Sequence, residues 1–232
     1  MQKSTMTSKA IAASYDEGLR QHMISVYNNM GLGLLTSGIV AYLVGTIPAL
    51  TALFLGGPQA WLFILAPLAV VFWISYKIDS MSYSTAINAF YGYAALMGIS
   101  LGSIFVVYQM GSIFQVFLIT ACMFGATSLY GYTTKRDLTS LGSFLFMGVI
   151  GLVIASLVNL FLQNSMFQMV IAAIGVLVFT GLTAYDTQKI KEIYYVTDGE
   201  DRKKAGVMGA LSLYLDFINL MMSLLQLLGN RK

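Results

Sequence analysis

Two aspartates stand inside apolar sequence, and they are the residues with which this chain could do chemistry. Asp216 lies near the middle of the last apolar stretch, in Leu211-Ser212-Leu213-Tyr214-Leu215-Asp216-Phe217-Ile218-Asn219-Leu220. An ionisable side chain at the centre of a bilayer costs about 2.5–3.5 kcal/mol on insertion scales, so it faces a bundle interior or a water-filled path. The polar residues around it agree. Ser212, Asp216, Asn219 and Ser223 recur at i, i+4, i+7 and i+11, which is one stripe of a helix. The last helix is therefore apolar on most sides and polar along one line, which faces protein and water.

Asp186 is the second acid, in Thr183-Ala184-Tyr185-Asp186-Thr187-Gln188-Lys189-Ile190-Lys191. Thr183, Asp186 and Thr187 share a helix face. Position alone makes Asp186 a solvated acid at a helix end. Depth makes it a partner. The sequence stays helix-compatible to Tyr194, and the hairpin falls at Val196-Thr197-Asp198-Gly199-Glu200-Asp201, ahead of the basic Arg202-Lys203-Lys204. At 1.5 Å per residue, Tyr194 back to Asp186 is about 12 Å and Gly206 forward to Asp216 is about 15 Å. In an antiparallel hairpin the two carboxyls reach nearly the same depth and can face each other. Adjacent carboxylates in a poorly solvated place do not readily both ionise, and such a pair can share a proton. Deprotonated, it is an anionic oxygen cluster of the kind that hard cations such as Ca²⁺ seek. A calcium cage takes roughly six to eight oxygens, so two carboxylates make at most a transient site, completed by water, Asn219 or backbone carbonyls.

The elements that must position this pair span a membrane. The chain has 232 residues, 57% of them hydrophobic and 10% charged, with a mean hydropathy of +0.75; soluble domains carry about 25% charged residues. Apolar stretches recur at residues 24–47, 60–77, 84–107, 112–132, 141–162, 167–188 and 206–229. Each is long enough for a spanning helix. The expected architecture is an all-α membrane protein of seven transmembrane helices. Residues 1–23 form a polar lead, 24–229 the bundle and 230–232 a short basic tail. Within the lead, Ser14-Tyr15-Asp16-Glu17 can cap a short amphipathic helix through Leu19 and Met23. The lead is polar and the first apolar run is long enough to remain as a span, so no cleavable signal peptide is expected. Pro48 and Gly56-Gly57-Pro58 punctuate the first connection. Pro67, inside the second span, kinks it and leaves a backbone carbonyl for another partner. Small residues at i+4 spacing, Ala94, Gly98 and Gly102, and a similar face at Gly148, Gly151 and Ala155, suit close helix packing. Cys122 reads as a small core residue, and as the only cysteine it forms no internal disulfide. His22, the only histidine, reads as a surface residue of the lead, which leaves neither a Ser-His base nor a multi-histidine metal site.

Charge orients the bundle. Lys3, Lys9 and Arg20 lie in the lead, Lys77 follows the second span, Lys135-Arg136 the fourth, and Lys189, Lys191 and Arg202-Lys203-Lys204 the sixth; the alternate loops carry no Lys or Arg. The positive-inside rule then places the N-terminus in the cytoplasm. Basic residues confined to loops and membrane flanks give no nucleic-acid signal. Arg231-Lys232 breaks the pattern: seven full spans put it outside, a re-entrant last segment inside, and the length of 206–229 favours seven spans. Short loops without large domains suit a bacterial inner membrane.

The Tyr185-Asp186-Thr187-Gln188 run resembles the sixth-helix signature of the Bax-inhibitor family, and the run from Ala210 to Leu220 resembles the last-helix motif of its bacterial members. The hydropathy layout is similar over nearly the whole chain. The resemblance implies a bundle with the last helix central in a ring of six. It implies a monomeric pH-sensitive calcium leak channel in the lipid bilayer, in which Asp186 and Asp216 form the proton-sensing pair, Ca²⁺ is the transported ion and no cofactor is needed. Ser212, Asn219, Ser223, Thr183 and Thr187 are the expected supporting polar path. A bacterial relative has a latching arginine near the end of the second helix. Here Trp73-Ile74-Ser75-Tyr76-Lys77 has none: Ser75 holds that place, and Lys77 offers a point charge without the planar fork. Some bacterial relatives are linked to a membrane-bound AAA quality-control protease, for which residues 1–23 would be the handle.

Two membrane aspartates also resemble the pair of presenilin-type intramembrane aspartyl proteases. Those need Gly-x-Gly-Asp, where this chain has Leu213-Tyr214-Leu215-Asp216, and a later Pro-Ala-Leu, where this chain has no proline after Pro67. The expectation is a protein that is not an enzyme.

Overall fold

In hydrocarbon every backbone N–H and C=O must find its partner within the protein, so long apolar runs become helices. The computed structural model describes the backbone of residues 2–232 and the side chains of residues 17–232. Its helices are α1 (Gln2–Thr46), α2 (Pro48–Leu55), α3 (Ala60–Lys77), α4 (Tyr83–Val107), α5 (Met110–Thr133), α6 (Thr139–Leu162), α7 (Ser165–Val196) and α8 (Gly199–Leu228). All but α2 are long and apolar enough to cross a membrane, which gives the seven expected spans. The short α2 was hidden by its apolar composition; Pro48 opens it at a position where the missing N–H costs nothing. Ser82 and Asn164 cap α4 and α7, accepting from the N–H groups of Thr85 and Phe167.

The last helix is the core. Its apolar window is 56% buried, against 6–33% for the other spans. α1, α4, α5 and α7 pack directly on α8, while α3 stands on α4 and α6 on α7. α1 and α4 share the most extensive helix–helix contact. A side chain at Gly98 would sit 2.8 Å from both Ser37 O and Val40 Cβ, and one at Gly45 would strike the Gly102 carbonyl. The face of α6 is looser than its spacing suggests. Gly148 approaches Val178, but Gly151 has nothing within 4 Å and faces outward. Gly142, against the Tyr185 ring, is the tighter contact.

Pro67 behaves as its chemistry requires. It cannot donate to Phe63 O, and Ser100 Oγ on α4 donates to that carbonyl instead, at 2.5 Å. The tail also finds its place. Gln109 N–H donates to Asn230 O, Asn230 N–H to Ser112 Oγ and Lys232 N–H to Val107 O, so the tail pairs with the α4–α5 connection. The other end of α5 is tied to α7, where Lys191 donates to Tyr132 O and Gln188 to Arg136 O. The tail and the Lys135-Arg136 loop thus lie at opposite ends, and α8 crosses the whole bundle.

Three expectations change. The turn before α8 is shorter than the hairpin expected. α8 starts at Gly199, so Arg202-Lys203-Lys204 belong to its opening turns, where the Arg202 guanidinium donates to Thr197 O and Glu200 and Asp201 face the positive helix end. Leu19 and Met23 lie in the core on the same helix as the first span, not on a separate short helix. Cys122 is exposed, not in the core. The side chains of Lys3, Lys9, Ser14, Tyr15 and Asp16 fall outside the described residues. The close α1–α4 contact makes a clear expectation. Gly98→Leu should lower stability by about 1–3 kcal/mol, as overpacking does, whereas Gly151→Leu should leave it within about 0.5 kcal/mol of the parent, in reversible unfolding from mixed micelles.

Candidate functional site

Asp186 and Asp216 meet. Ile190 packs on Gly209, and Ser223 stands over Gly175, so α7 and α8 run antiparallel with both aspartates between those two contacts. Both side chains line the same cleft and interact with each other. Asp216 is 5% exposed, and its Oδ2 is buried without a hydrogen-bond partner among the described residues. Asp186 is half-buried.

The rotation of α8 that aims Asp216 at α7 is fixed by its neighbours in sequence. Tyr214, fully buried, shares a 2.6 Å hydrogen bond with Ser37 on α1 and meets the rings of Phe90 and Tyr93 on α4 edge-on. Phe217 packs edge-on with Phe117 and Phe124 of α5. At 100° per residue, a helix with Tyr214 locked on one side places residue 216 about 200° away, on the other side.

That side is open. A cleft of about 660 Å³ between α6, α7 and α8 is lined by Asp186, Lys189, Ser212, Asp216 and Asn219 among apolar walls. A second cleft, of about 550 Å³, shares Asp186, Lys189 and Ser212 and continues to Asp79, Asp201 and Lys204 at the basic-loop end. The two clefts share three lining residues, so polar groups continue from that end to the pair. Beyond Asn219 the helix turns apolar: Leu220, Leu224 and Leu225 pack with Ile104, Ile113 and Val116, and an apolar cavity of about 280 Å³ lies beside them between α1, α4, α5 and α8.

The structure brings only part of the expected set to the pair. Ser212 and Asn219 line the cleft. Ser223 does not; its hydroxyl donates to Asn219 O. Thr183 and Thr187 are buried toward α5, donating to Phe179 O and Thr183 O, and Thr187 is also 3.0 Å from Ser128 Oγ, which bonds the Tyr27 hydroxyl. Their hydroxyls hold helices together and do not face the clefts. Ser75 and Lys77 are exposed, and the Lys77 ammonium lies over the Tyr76 ring, 5.8 Å from its centre, rather than beside the aspartates. The cation that lines both clefts with Asp186 is Lys189. Its i+3 spacing from Asp186 was the signal in the sequence, obscured by its apparent place in a loop-side charge run. No third carboxylate, histidine or cysteine joins the pair among the described residues.

A family model described as "Inhibitor of apoptosis-promoting Bax1" matches residues 19–232, which include α7, α8 and both aspartates. The chain belongs to the Bax-inhibitor family. Related proteins match this family member over nearly their whole lengths. The inner membrane protein YbhL of Escherichia coli K12 is 46% identical over 219 residues, 93% of this chain and 94% of its own. A protein of Rickettsia prowazekii is 43% identical over 98% of this chain and 97% of its own. A membrane protein of Streptococcus pyogenes serotype M3 is 37% identical over 97% of this chain and 99% of its own.

One-sided access to the pair can be measured on this Bax-inhibitor protein. In a Cys122→Ala background, cysteines at Ser212 and Asn219 should react with a charged, membrane-impermeant thiol reagent applied from the basic-loop side. A cysteine at Leu224 should react at least about tenfold more slowly from either side. Equal labelling at all three would show that the apolar half is not closed.

Proposed function

We propose that this protein is a pH-sensitive cation leak, with Ca²⁺ as the transported ion and the Asp186–Asp216 pair as its gate. The observation that carries the reading is a carboxyl pair between two long helices, with Asp216 buried, flanked by clefts whose polar groups continue to the basic-loop end. At acid pH a proton shared by the two carboxyls ties α7 to α8, and the apolar contacts of Leu220, Leu224 and Leu225 keep the far half shut. As pH rises and the proton leaves, two like charges at close range in a poorly solvated site repel each other. The tie becomes a repulsion just where a cation is attracted. Two carboxylates, the Asn219 amide and water hold a hard cation weakly, which suits passage rather than storage. Lys189, lining both clefts with Asp186, takes the place that a latching arginine was expected to fill.

The similarity to an inner membrane protein supports a bacterial inner membrane as the site of action. The basic loops then put the N-terminus and the basic-loop end of the clefts on the cytoplasmic side. Flux is the direct test. Uptake of ⁴⁵Ca into proteoliposomes should rise from acid to alkaline pH in the parent chain. In Asp216→Asn, which keeps the shape and removes the titrating group, the pH dependence should flatten to within about twofold across the range. Identical pH profiles in the two proteins would remove the pair from the mechanism.

A further inference from the structure

A second concave site lies at the basic-loop end, away from the aspartates. It is a pocket of about 340 Å³ between α1, α7 and α8, edged by Tyr83 at the start of α4. Arg202 and Lys203 line it, and neither has a carboxylate within ion-pair distance among the described residues. Three acids near it have other partners. Glu17 pairs with Arg20 and Gln21, Glu200 accepts from the Tyr83 N–H at 2.9 Å, and Asp201 pairs with Lys204. Neither cation of the pocket is ion-paired among the described residues, and Glu200 keeps its charge at the Tyr83 edge.

Its walls hold those groups in place. The Arg202 guanidinium donates through Nε and Nη2 to Thr197 O and stacks 4.3 Å over the Tyr194 ring, which fixes its plane and leaves Nη1 free among the described residues. The Lys203 ammonium lies 5.9 Å over the Tyr83 ring. His22 also lines the pocket, half-buried against Tyr194, and its Nε2 is buried without a hydrogen-bond partner among the described residues. Asn29 accepts from Tyr91 through its carbonyl oxygen and so keeps its amide hydrogens for a ligand. Two glycines make the closeness possible: a side chain at Gly18 would strike the Tyr194 hydroxyl, and one at Gly206 would lie 3.3 Å from His22 Cε1.

We propose that this pocket binds a phosphate group through Arg202, Lys203 and the polar side chains of α1. A planar guanidinium held by stacking, a nearby ammonium and neutral donors form the set that a phosphate's oxygens require. Basic pockets between membrane helices at the cytoplasmic end take anionic lipid headgroups, and free phosphate offers the same chemistry. The pocket shares no lining residue with the clefts at Asp186 and Asp216.

His22 is the chain's only histidine, so with a histidine-free affinity tag its imidazole gives a single NMR resonance at the site. The full chain is placed in phosphatidylcholine nanodiscs and titrated with inorganic phosphate against chloride at matched ionic strength. In a second arm, phosphatidylglycerol replaces part of the phosphatidylcholine. A saturable His22 shift with inorganic phosphate supports a free-anion site; a shift only with phosphatidylglycerol supports a headgroup site. Lys203 is exposed, and Lys203→Gln should keep the fold while weakening either response about tenfold, the scale of one charge-assisted hydrogen bond. A resonance unmoved by both probes, or a midpoint unchanged in Lys203→Gln, overturns the proposal.

Discussion

A carboxyl buried at the centre of a membrane helix must be held there by protein. Everything around Asp216 reflects that constraint. The helix that carries it is the most buried of the seven spans. The residues two before and one after it are aromatic anchors on three different helices, through Ser37, Phe90 and Tyr93 for Tyr214 and through Phe117 and Phe124 for Phe217. These contacts fix the rotation of α8, so the acid faces neither lipid nor the apolar core but Asp186. The energetic logic is that of a polar group whose desolvation is met by a single partner. The rest of the bundle supplies the rigidity that keeps the partner in reach.

That rigidity is unevenly distributed. α1 and α4 meet through glycines and Ser37 at contact distances that leave no room for side chains. On the other flank, α6 leans on α7 with Gly151 facing open space, and a cleft separates α6 from α8. Close-packed interfaces of small residues resist relative motion, because any shift forces atoms together. The pair therefore lies on the side of α8 that faces α6 and the open cleft, away from the close α1–α4 contact, while α7 itself is held tightly to α5 where Gly131 meets the Ala184 carbonyl.

The fold was largely legible because membrane helices announce themselves in composition and because depth can be counted in residues. The antiparallel pairing of Asp186 with Asp216 followed from that count, even though α8 begins at Gly199 rather than Gly206. Pro67 was legible in the same way: the lost donor implied a free carbonyl at Phe63, and Ser100 on α4 takes it. What sequence spacing did not reveal was direction. Thr183 and Thr187 share a helix face with Asp186 by arithmetic, yet their hydroxyls turn to backbone carbonyls and Ser128, as threonine in a helix readily does. Cys122 and Gly151 sit in apolar runs but face outward, because in a membrane protein hydrophobic sequence covers the outside as well as the core. His22 misled for the opposite reason. Its polar sequence context suggested surface, while the continuation of α1 carries it in beside Tyr194.

The two halves of α8 then have different physical roles along one helix. From Ser212 to Asn219 its α6-facing side is polar and reached from the basic-loop end. From Leu220 to Leu225 it is apolar and buried against α4 and α5. Leu220 and Leu225 of this half are fully buried, and the apolar cavity beside it is lined by Ile218, Met221 and Met222. In the proposed leak, opening requires α8 to move relative to α4 and α5 as a body. The force for such a motion has to act on α8 from the cleft side, and the carboxyl pair is the one charged contact that α7 makes with the middle of α8. In the gating proposed above, proton loss from that pair acts between α7 and α8, and the displacement it favours, away from α7, is the one that disturbs the apolar half.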